Sequence, residues 1–248
     1  MAENINPVKL SVIIPAYNEE KRIALTLEET DKYLKEQNYG YEIIVVDNGS
    51  NDATCDIVKE YQSRGVEKVV RLCLSESIGS KGSAVKYGIL EYAQGDFVVF
   101  MDADNATPIS EIEKFWPFFD KGFSVVIGSR YVKDADVAEP QPFYKIVLSR
   151  MSNILIQLVA VRGIKDTQMG FKAFTAKAAH DIFSRVTIAG WGFDIEAFTI
   201  ARLRGFKIKE AGVLWRERCG SHVPLSGYLQ TPRDLLKIKI SGVLRKYR

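Results

Sequence analysis

Phe97-Val98-Val99-Phe100-Met101-Asp102-Ala103-Asp104 is a continuous apolar run that ends in two carboxylates one residue apart. Such a run reads as a buried strand, and two acids placed where it emerges can share a divalent cation. Mg²⁺ or Mn²⁺ prefers oxygen ligands and keeps positions open for substrate phosphates. Asp102 and Asp104 therefore point to a metal-assisted nucleoside-diphosphate site rather than a closed structural cage. A solvated strand end followed by a turn would carry the same residue types, so the rest of the chain has to choose.

Working outward, short β-branched runs alternate with amphipathic stretches, the pattern of an α/β fold with a mostly parallel central sheet flanked by helices. Strands are predicted at 10–14, 41–46, 66–74, 97–101 and 123–127, and helices at 19–36, 53–62, 83–93 and 110–119. In an open sheet of this kind the ligand crevice lies beyond the carboxyl ends of the strands. The polar segments found there are Pro15-Ala16-Tyr17-Asn18-Glu19, Asp47-Asn48-Gly49-Ser50-Asn51-Asp52, Asp102-Ala103-Asp104 and Gly128-Ser129-Arg130, and they are expected to converge. Proline and glutamate stand where a dinucleotide-binding turn would need Gly-x-Gly-x-x-Gly, which argues against a dehydrogenase. Further on, the pattern predicts a helix at 143–161, a loop at 166–172, helices at 176–183 and from Asp194, and a last strand at 207–215.

The 248 residues, 46% hydrophobic and 26% charged, suit one large α/β domain, and no Pro/Gly/Ser-rich linker divides them. A net charge of +3 is too small to imply a nucleic-acid partner. The charge is uneven: residues 233–248 hold six Lys or Arg against Asp234, a net +5, which leaves −2 elsewhere. In that tail Leu236, Ile240, Val243, Leu244 and Tyr247 recur at roughly helical spacing among Lys237, Lys239, Arg245 and Arg248. An interfacial basic helix has this pattern, so peripheral attachment to an anionic membrane is one expectation and a solvated basic C-terminus the other. No run approaches the ~20 apolar residues of a membrane span, and the N-terminus lacks the pattern of a secretory signal. Cys55, Cys73 and Cys219 are an odd, scattered set, which predicts free thiols in a reducing cytoplasm. Sequons at Asn48 and Asn105 fall inside the proposed site, where modification would block it, so the cytoplasm, or the cytoplasmic face of a membrane, is the expected location.

Val12-Ile13-Ile14-Pro15-Ala16-Tyr17-Asn18-Glu19, Val45-Val46-Asp47-Asn48-Gly49-Ser50-Asn51-Asp52-Ala53-Thr54 and Met101-Asp102-Ala103-Asp104 together resemble the family 2 glycosyltransferases, inverting enzymes with the GT-A (nucleotide-diphospho-sugar transferase) fold. Gly128-Ser129-Arg130, Asp166-Thr167-Gln168-Met169-Gly170-Phe171-Lys172, Phe193-Asp194-Ile195-Glu196 and Asp234-Leu235-Leu236 resemble the dolichyl-phosphate glucosyltransferase branch, close to the dolichyl-phosphate mannose synthases. Mannose synthases place a glutamine where this chain has Ala106, and the family often has a second aspartate where it has Asn48. The resemblance implies one GT-A domain, with a nucleotide-sugar half at 1–130, an acceptor half at 131–232 and the basic tail at 233–248. It also implies metal-dependent transfer of a hexose, glucose by branch, from a UDP- or GDP-sugar to a polyprenyl phosphate, with Mg²⁺ or Mn²⁺ as cofactor.

By that resemblance Pro15, Tyr17, Glu19 and Asp47 hold base and ribose, Lys81 reaches the diphosphate, Asp102 contacts ribose or sugar, and Asp104 binds the metal that offsets leaving-group charge. The acceptor decides what else is needed. A hydroxyl must lose its proton to a general base, for which Asp166 and Asp194 are the candidates. A phosphate monoester, with a second pKa of about 6, needs cations instead. Arg130, Arg150 and Lys172 are those candidates, Arg130 foremost because its planar fork matches phosphate. Trp191 and Trp215 are read as acceptor-path or core residues, His180 as a surface residue, and His222 as a residue able to close on the diphosphate. A glycan or small-molecule hydroxyl acceptor, and a non-catalytic sugar-nucleotide binding module, are the competing readings.

Overall fold

A computed structural model of the chain describes residues 8–63, 69–73, 80–138, 143–217, 225–244 and 246–247, with the backbone alone for 69–73, 143–149 and 225–231. In chain order the elements are β1 (Val8–Ala16), α1 (Ile23–Lys35), β2 (Gly40–Asp47), α2 (Thr54–Ser63), β3 (Val69–Cys73), α3 (Lys81–Glu91), β4 (Phe97–Met101), a 3₁₀ turn (Ile109–Lys114) and α4 (Trp116–Asp120). There follow β5 (Val125–Ser129), β6 (Asp136–Val137), α5 (Phe143–Val159), β7 (Phe171–Thr175), α6 (Ala176–Phe183), α7 (Phe193–Leu203), β8 (Ile208–Gly212), β9 (Leu214–Trp215) and α8 (Leu225–Val243). Seven strands form one sheet in the order β3-β2-β1-β4-β7-β5-β8, while β6 and β9 make a small second ladder.

The sheet is parallel except for β7, which runs antiparallel between β4 and β5. Because successive side chains point to opposite faces, each apolar run feeds two cores. Ile13, Val46, Val98 and Phe100 pack with α3, α6 and α7 through Val85, Ile182 and Phe198. Val12, Val45, Val99 and Met101 pack on the other side with Leu27 of α1, Val58 of α2 and Ile112. Burying a side chain of this size contributes about 1.5–3 kcal/mol, so continuous hydrophobicity along β1, β2 and β4 is what holds the sheet between its two helical layers.

Several sequence expectations change. The segment at 166–172, read as a loop, leads directly into β7, and Asp102 N–H donates to Gly170 C=O at 3.1 Å where the β4–β7 ladder ends. The helix expected at 110–119 is a 3₁₀ turn and a short α4 with proline in its first turn, since a proline cannot supply the N–H that one continuous helix would need. The strand expected at 207–215 is split, because Val213 C=O turns away to accept the Asp136 N–H at 3.1 Å and lets β9 pair with β6. The basic tail is not a separate piece, since α8 begins at Leu225. Cys55 is disulfide-bonded, so the expectation of three free thiols is wrong. Both sequon asparagines, Asn48 and Asn105, are buried.

Candidate active site

The loops after β1 and β2 are laced together. Asn18 N–H donates to Ser50 Oγ at 2.8 Å, Glu19 N–H to Thr54 Oγ1 at 2.8 Å and Glu20 N–H to Asp52 Oδ2 at 3.1 Å, while Asn51 N–H returns to Asn18 Oδ1 at 2.9 Å. Asn18 adopts a positive φ of 55°, a conformation asparagine tolerates better than most residues. Asp52 accepts from Thr54 N–H at 3.0 Å in an Asx turn just before α2, which assigns it to turn chemistry. The acidic turn after β4 is joined to the same ledge by Thr26 of α1, whose hydroxyl donates to Ala103 C=O at 2.7 Å.

Into this ledge project the charges. Lys81, at the first position of α3, donates its ammonium to Asp102 Oδ1. Burial works against that charge, but Asp102 and then Asp194 outweigh it and hold the Lys81 amine above its usual range. Burial pushes the Asp104 carboxyl up, Asp102 adds to the rise, and Lys81 and Arg22 only partly offset it. Glu19 is likewise raised by burial against the pull of Arg22, which it holds through Nε at 2.6 Å. The turn thus concentrates negative charge without enough protein cation to match it, which is the environment a divalent ion relieves. Among the described residues no group of three His, Cys, Asp or Glu side chains could hold a metal alone. Two carboxylates completed by substrate phosphates is the donor set Mg²⁺ or Mn²⁺ commonly accepts, so Asp102 and Asp104 fit the ion.

Gly170 makes the turn possible. A Cβ at that position would stand 1.9 Å from Asp102 Oδ2, so any side chain there displaces the carboxylate. Gly170→Ala should lower turnover more than tenfold while far-UV circular dichroism stays native.

The acceptor-side candidates divide in two. Arg130, just past β5, donates through Nε and Nη2 to Asp166 at 2.9 Å each, and its own N–H reaches Asp166 Oδ2 at 3.0 Å. Asp166 has 0% exposure, and among the described residues it accepts from this fork and the backbone N–H beside it. Arg130 stacks on Trp215 at 5.3 Å and on Tyr131 at 5.5 Å, and Arg150 of α5 lies over the same Tyr131 ring at 5.8 Å. Two guanidinium groups thus flank one aromatic ring, and the field of Asp102 is felt at Arg130. Lys172 differs: it has 0% exposure, pairs with Asp194 at 2.9 Å, donates to Met169 C=O and lies beneath Phe100 at 4.9 Å. Burial lowers the Lys172 amine and raises the Asp194 carboxyl, each opposed by its partner.

The sequence profile described as Glycosyl transferase family 2 matches residues 11–183. This chain belongs to that family. A dolichyl-phosphate beta-glucosyltransferase of Dictyostelium discoideum is 35% identical, over 98% of this chain and 79% of that relative. The Homo sapiens protein of the same description is also 35% identical, over 98% and 79%. Among solved structures, glucosyl-3-phosphoglycerate synthase from Mycobacterium tuberculosis, crystallised with Mn²⁺, UDP and phosphoglyceric acid, aligns with a TM-score of 0.67 at 22% identity, covering 94% of this chain and 78% of that one. The shared architecture is the GT-A fold.

In this family 2 chain the fold brings Glu19 into the fields of Asp104 and Asp102, Lys81 into those of Asp102, Asp194 and Asp104, and Arg130 into that of Asp102. Pro15 is half-buried and Tyr17 is 54% exposed at the rim beyond β1. Asp47 is buried, one of its oxygens accepting from Ser50 N–H at 3.2 Å. Lys172, a candidate for the acceptor phosphate, is placed in the interior and paired with Asp194. Asp166, a candidate base, is held by the Arg130 fork. His180 is exposed as expected, whereas His222 and Cys219 lie outside the described residues. Sequence reasoning missed Arg22, whose only signal was its place three residues after Glu19, and Tyr131, which simply follows Arg130.

Proposed function

We propose that the chain transfers glucose, with inversion, from a UDP-sugar to a polyprenyl phosphate with a divalent cation bound at Asp104 and Asp102. The observation that carries the phosphate acceptor is the commitment of both candidate bases: Asp166 to Arg130 and Asp194 to Lys172. A hydroxyl acceptor requires a base, whereas a phosphate dianion requires cations, and Arg130 with Arg150 supplies them around Tyr131. The similarity to dolichyl-phosphate beta-glucosyltransferases supports the same donor sugar and lipid.

Each residue then has a task. Tyr17 offers an exposed ring at the rim for the base, and Pro15, Glu19 and Asp47 shape the pocket for base and ribose. When bound, the metal neutralises the departing diphosphate. Lys81 is tethered to Asp102 in the free protein and is positioned to exchange that partner for a phosphate oxygen. Arg130, pre-oriented by Asp166, presents a fixed planar donor set to the attacking phosphate. The donor assignment is tested by a panel of UDP- and GDP-sugars offered with polyprenyl phosphate and either Mg²⁺ or Mn²⁺. UDP-glucose should give the highest kcat/KM, and a preference for a GDP-sugar would reject the glucosyl reading.

Peripheral membrane contact completes the proposal. Among the described residues no helix is long and apolar enough to cross a membrane. The α5 and α8 helices pack together, and each leaves an apolar stripe in solvent: Met151, Ile154, Leu155 and Leu158 on α5, and Leu236, Ile240 and Val243 on α8, continued by Leu244 just past its end. Leu158 is 80% exposed. Exposed Lys237 and Lys239 flank the α8 stripe, the charge an anionic lipid surface attracts. Tyr247 is excluded from that stripe, contrary to expectation, because it is buried with its hydroxyl on Glu196 at 2.7 Å. Replacing Ile240 and Val243 by serine should cut co-sedimentation with anionic vesicles at least fivefold. Unchanged co-sedimentation would remove α8 from the contact.

A further inference from the structure

Two motifs have no task in the chemistry above, Asp234-Leu235-Leu236 on α8 and the Glu196 turn of α7, and the fold brings them to one place. Gly192 is the cap residue before α7 and has no side chain with which to satisfy the free N–H groups there. Asp234 approaches from α8 instead: a Cβ on Gly192 would stand 2.5 Å from Asp234 Oδ2 and 2.7 Å from Asp234 Cβ. One turn further on, Glu196 has 0% exposure and accepts from Thr187 N–H at 2.9 Å, Ile188 N–H at 2.7 Å and Tyr247 O–H at 2.7 Å. The segment held between these carboxylates carries Trp191, whose ring lies 5.5 Å from Lys81 Nζ, and Asp194, which pairs with Lys172.

We propose that Asp234 is a positioning residue for the donor site: its carboxylate, lent by α8, fixes the backbone at Gly192 so that Trp191 and Asp194 hold Lys81 in place. A carboxylate at a helix N-terminus satisfies its donors and its dipole together, and here the acid comes from a second helix whose opposite face is the exposed apolar stripe. The inference rests on the donor-site reading of Lys81. Tyr247, just past the end of the same helix, donates its hydroxyl to Glu196 rather than to the Gly192 backbone, so its expected contribution is to stability.

The test measures donor and acceptor kinetics in the full chain together with hydrogen exchange over residues 190–194. Asp234→Ala should lower kcat/KM for the nucleotide sugar about tenfold, leave the acceptor KM within twofold and speed exchange in that segment. Asp234→Asn, which keeps an acceptor oxygen of the same reach, should restore most of both. Gly192→Ala, which drives the carboxylate away without removing it, should reproduce the donor-side loss and serves if Asp234→Ala does not fold. Tyr247→Phe should lower the melting temperature but leave donor kcat/KM within twofold. Native donor kinetics and native exchange in Asp234→Ala, or in Gly192→Ala where that variant is used, would overturn the proposal. Failure of the wild-type chain to transfer sugar would reject the donor-site reading, while the exchange measurement would still decide whether Asp234 fixes the segment.

Discussion

Asp104→Ala is expected to reduce metal-dependent transfer by about 10³-fold or more, roughly 4 kcal/mol of transition-state stabilisation. The residue combines what a leaving-group metal requires: it follows a strand buried from Val98 to Met101, its carboxyl is pushed up by burial and by Asp102, and among the described residues no group of three His, Cys, Asp or Glu side chains could hold the ion alone. The same shift fixes the sign of the stability effect. A carboxyl raised in the folded state binds its proton more tightly there than in the unfolded chain, so without metal it lowers stability as pH rises through the window above the ordinary carboxylate range. Removing it should leave the metal-free protein at least as stable as wild type near neutral pH. Thermal melts with and without Mn²⁺ check both points: the wild type should gain stability from the ion and Asp104→Ala should not. A variant that melts with Mn²⁺ as the wild type does would move the metal elsewhere.

Arg130→Lys is expected to lower kcat/KM for the lipid phosphate about 100-fold, or about 2.7 kcal/mol, with affinity for the nucleotide sugar unchanged. Lysine keeps the charge but loses the fork that Asp166 clamps and the planar face stacked on Trp215 and Tyr131. Asp166→Asn separates the competing roles of that carboxylate. If Asp166 orients Arg130, the variant loses stability, since breaking a buried pair from one side costs about 3–5 kcal/mol, and raises the acceptor KM. A base would behave differently, with kcat abolished, stability retained and the acceptor KM unmoved. Initial rates over a range of acceptor concentrations, paired with denaturant titration, distinguish the two.

What the chain disclosed about itself follows from the range of the interactions involved. The apolar run at 97–101 matches β4 at both ends because burial on both faces is written locally in five consecutive side chains. The polar segments after β1, β2, β4 and β5 could be placed together because β1, β2 and β4 pair in parallel and β5 shares their direction across β7. Its one antiparallel strand was hidden by Lys172, a charged residue in a five-residue segment, which is tolerated there only because Asp194 reaches it from α7. Nothing near Lys172 in sequence announces that partner. For the same reason the sequence offers Lys172 as a phosphate-binding cation and Asp194 as a base, without showing that each holds the other. Arg130 and Asp166, 36 positions apart, were each singled out, yet their mutual commitment is a property of packing alone. The helical spacing in the tail was legible, but Tyr247 was misplaced because its buried partner, Glu196, is 51 positions away.

Initial rates of UDP-glucose consumption with Mn²⁺, comparing a polyprenyl phosphate with the polyprenol of the same chain length, address the central claim. Two carboxylates, two guanidinium groups and two candidate bases each ion-paired to a cation predict a glucosylated product from the phosphate and none from the alcohol. Equal transfer to the alcohol, or transfer to neither, would contradict the account.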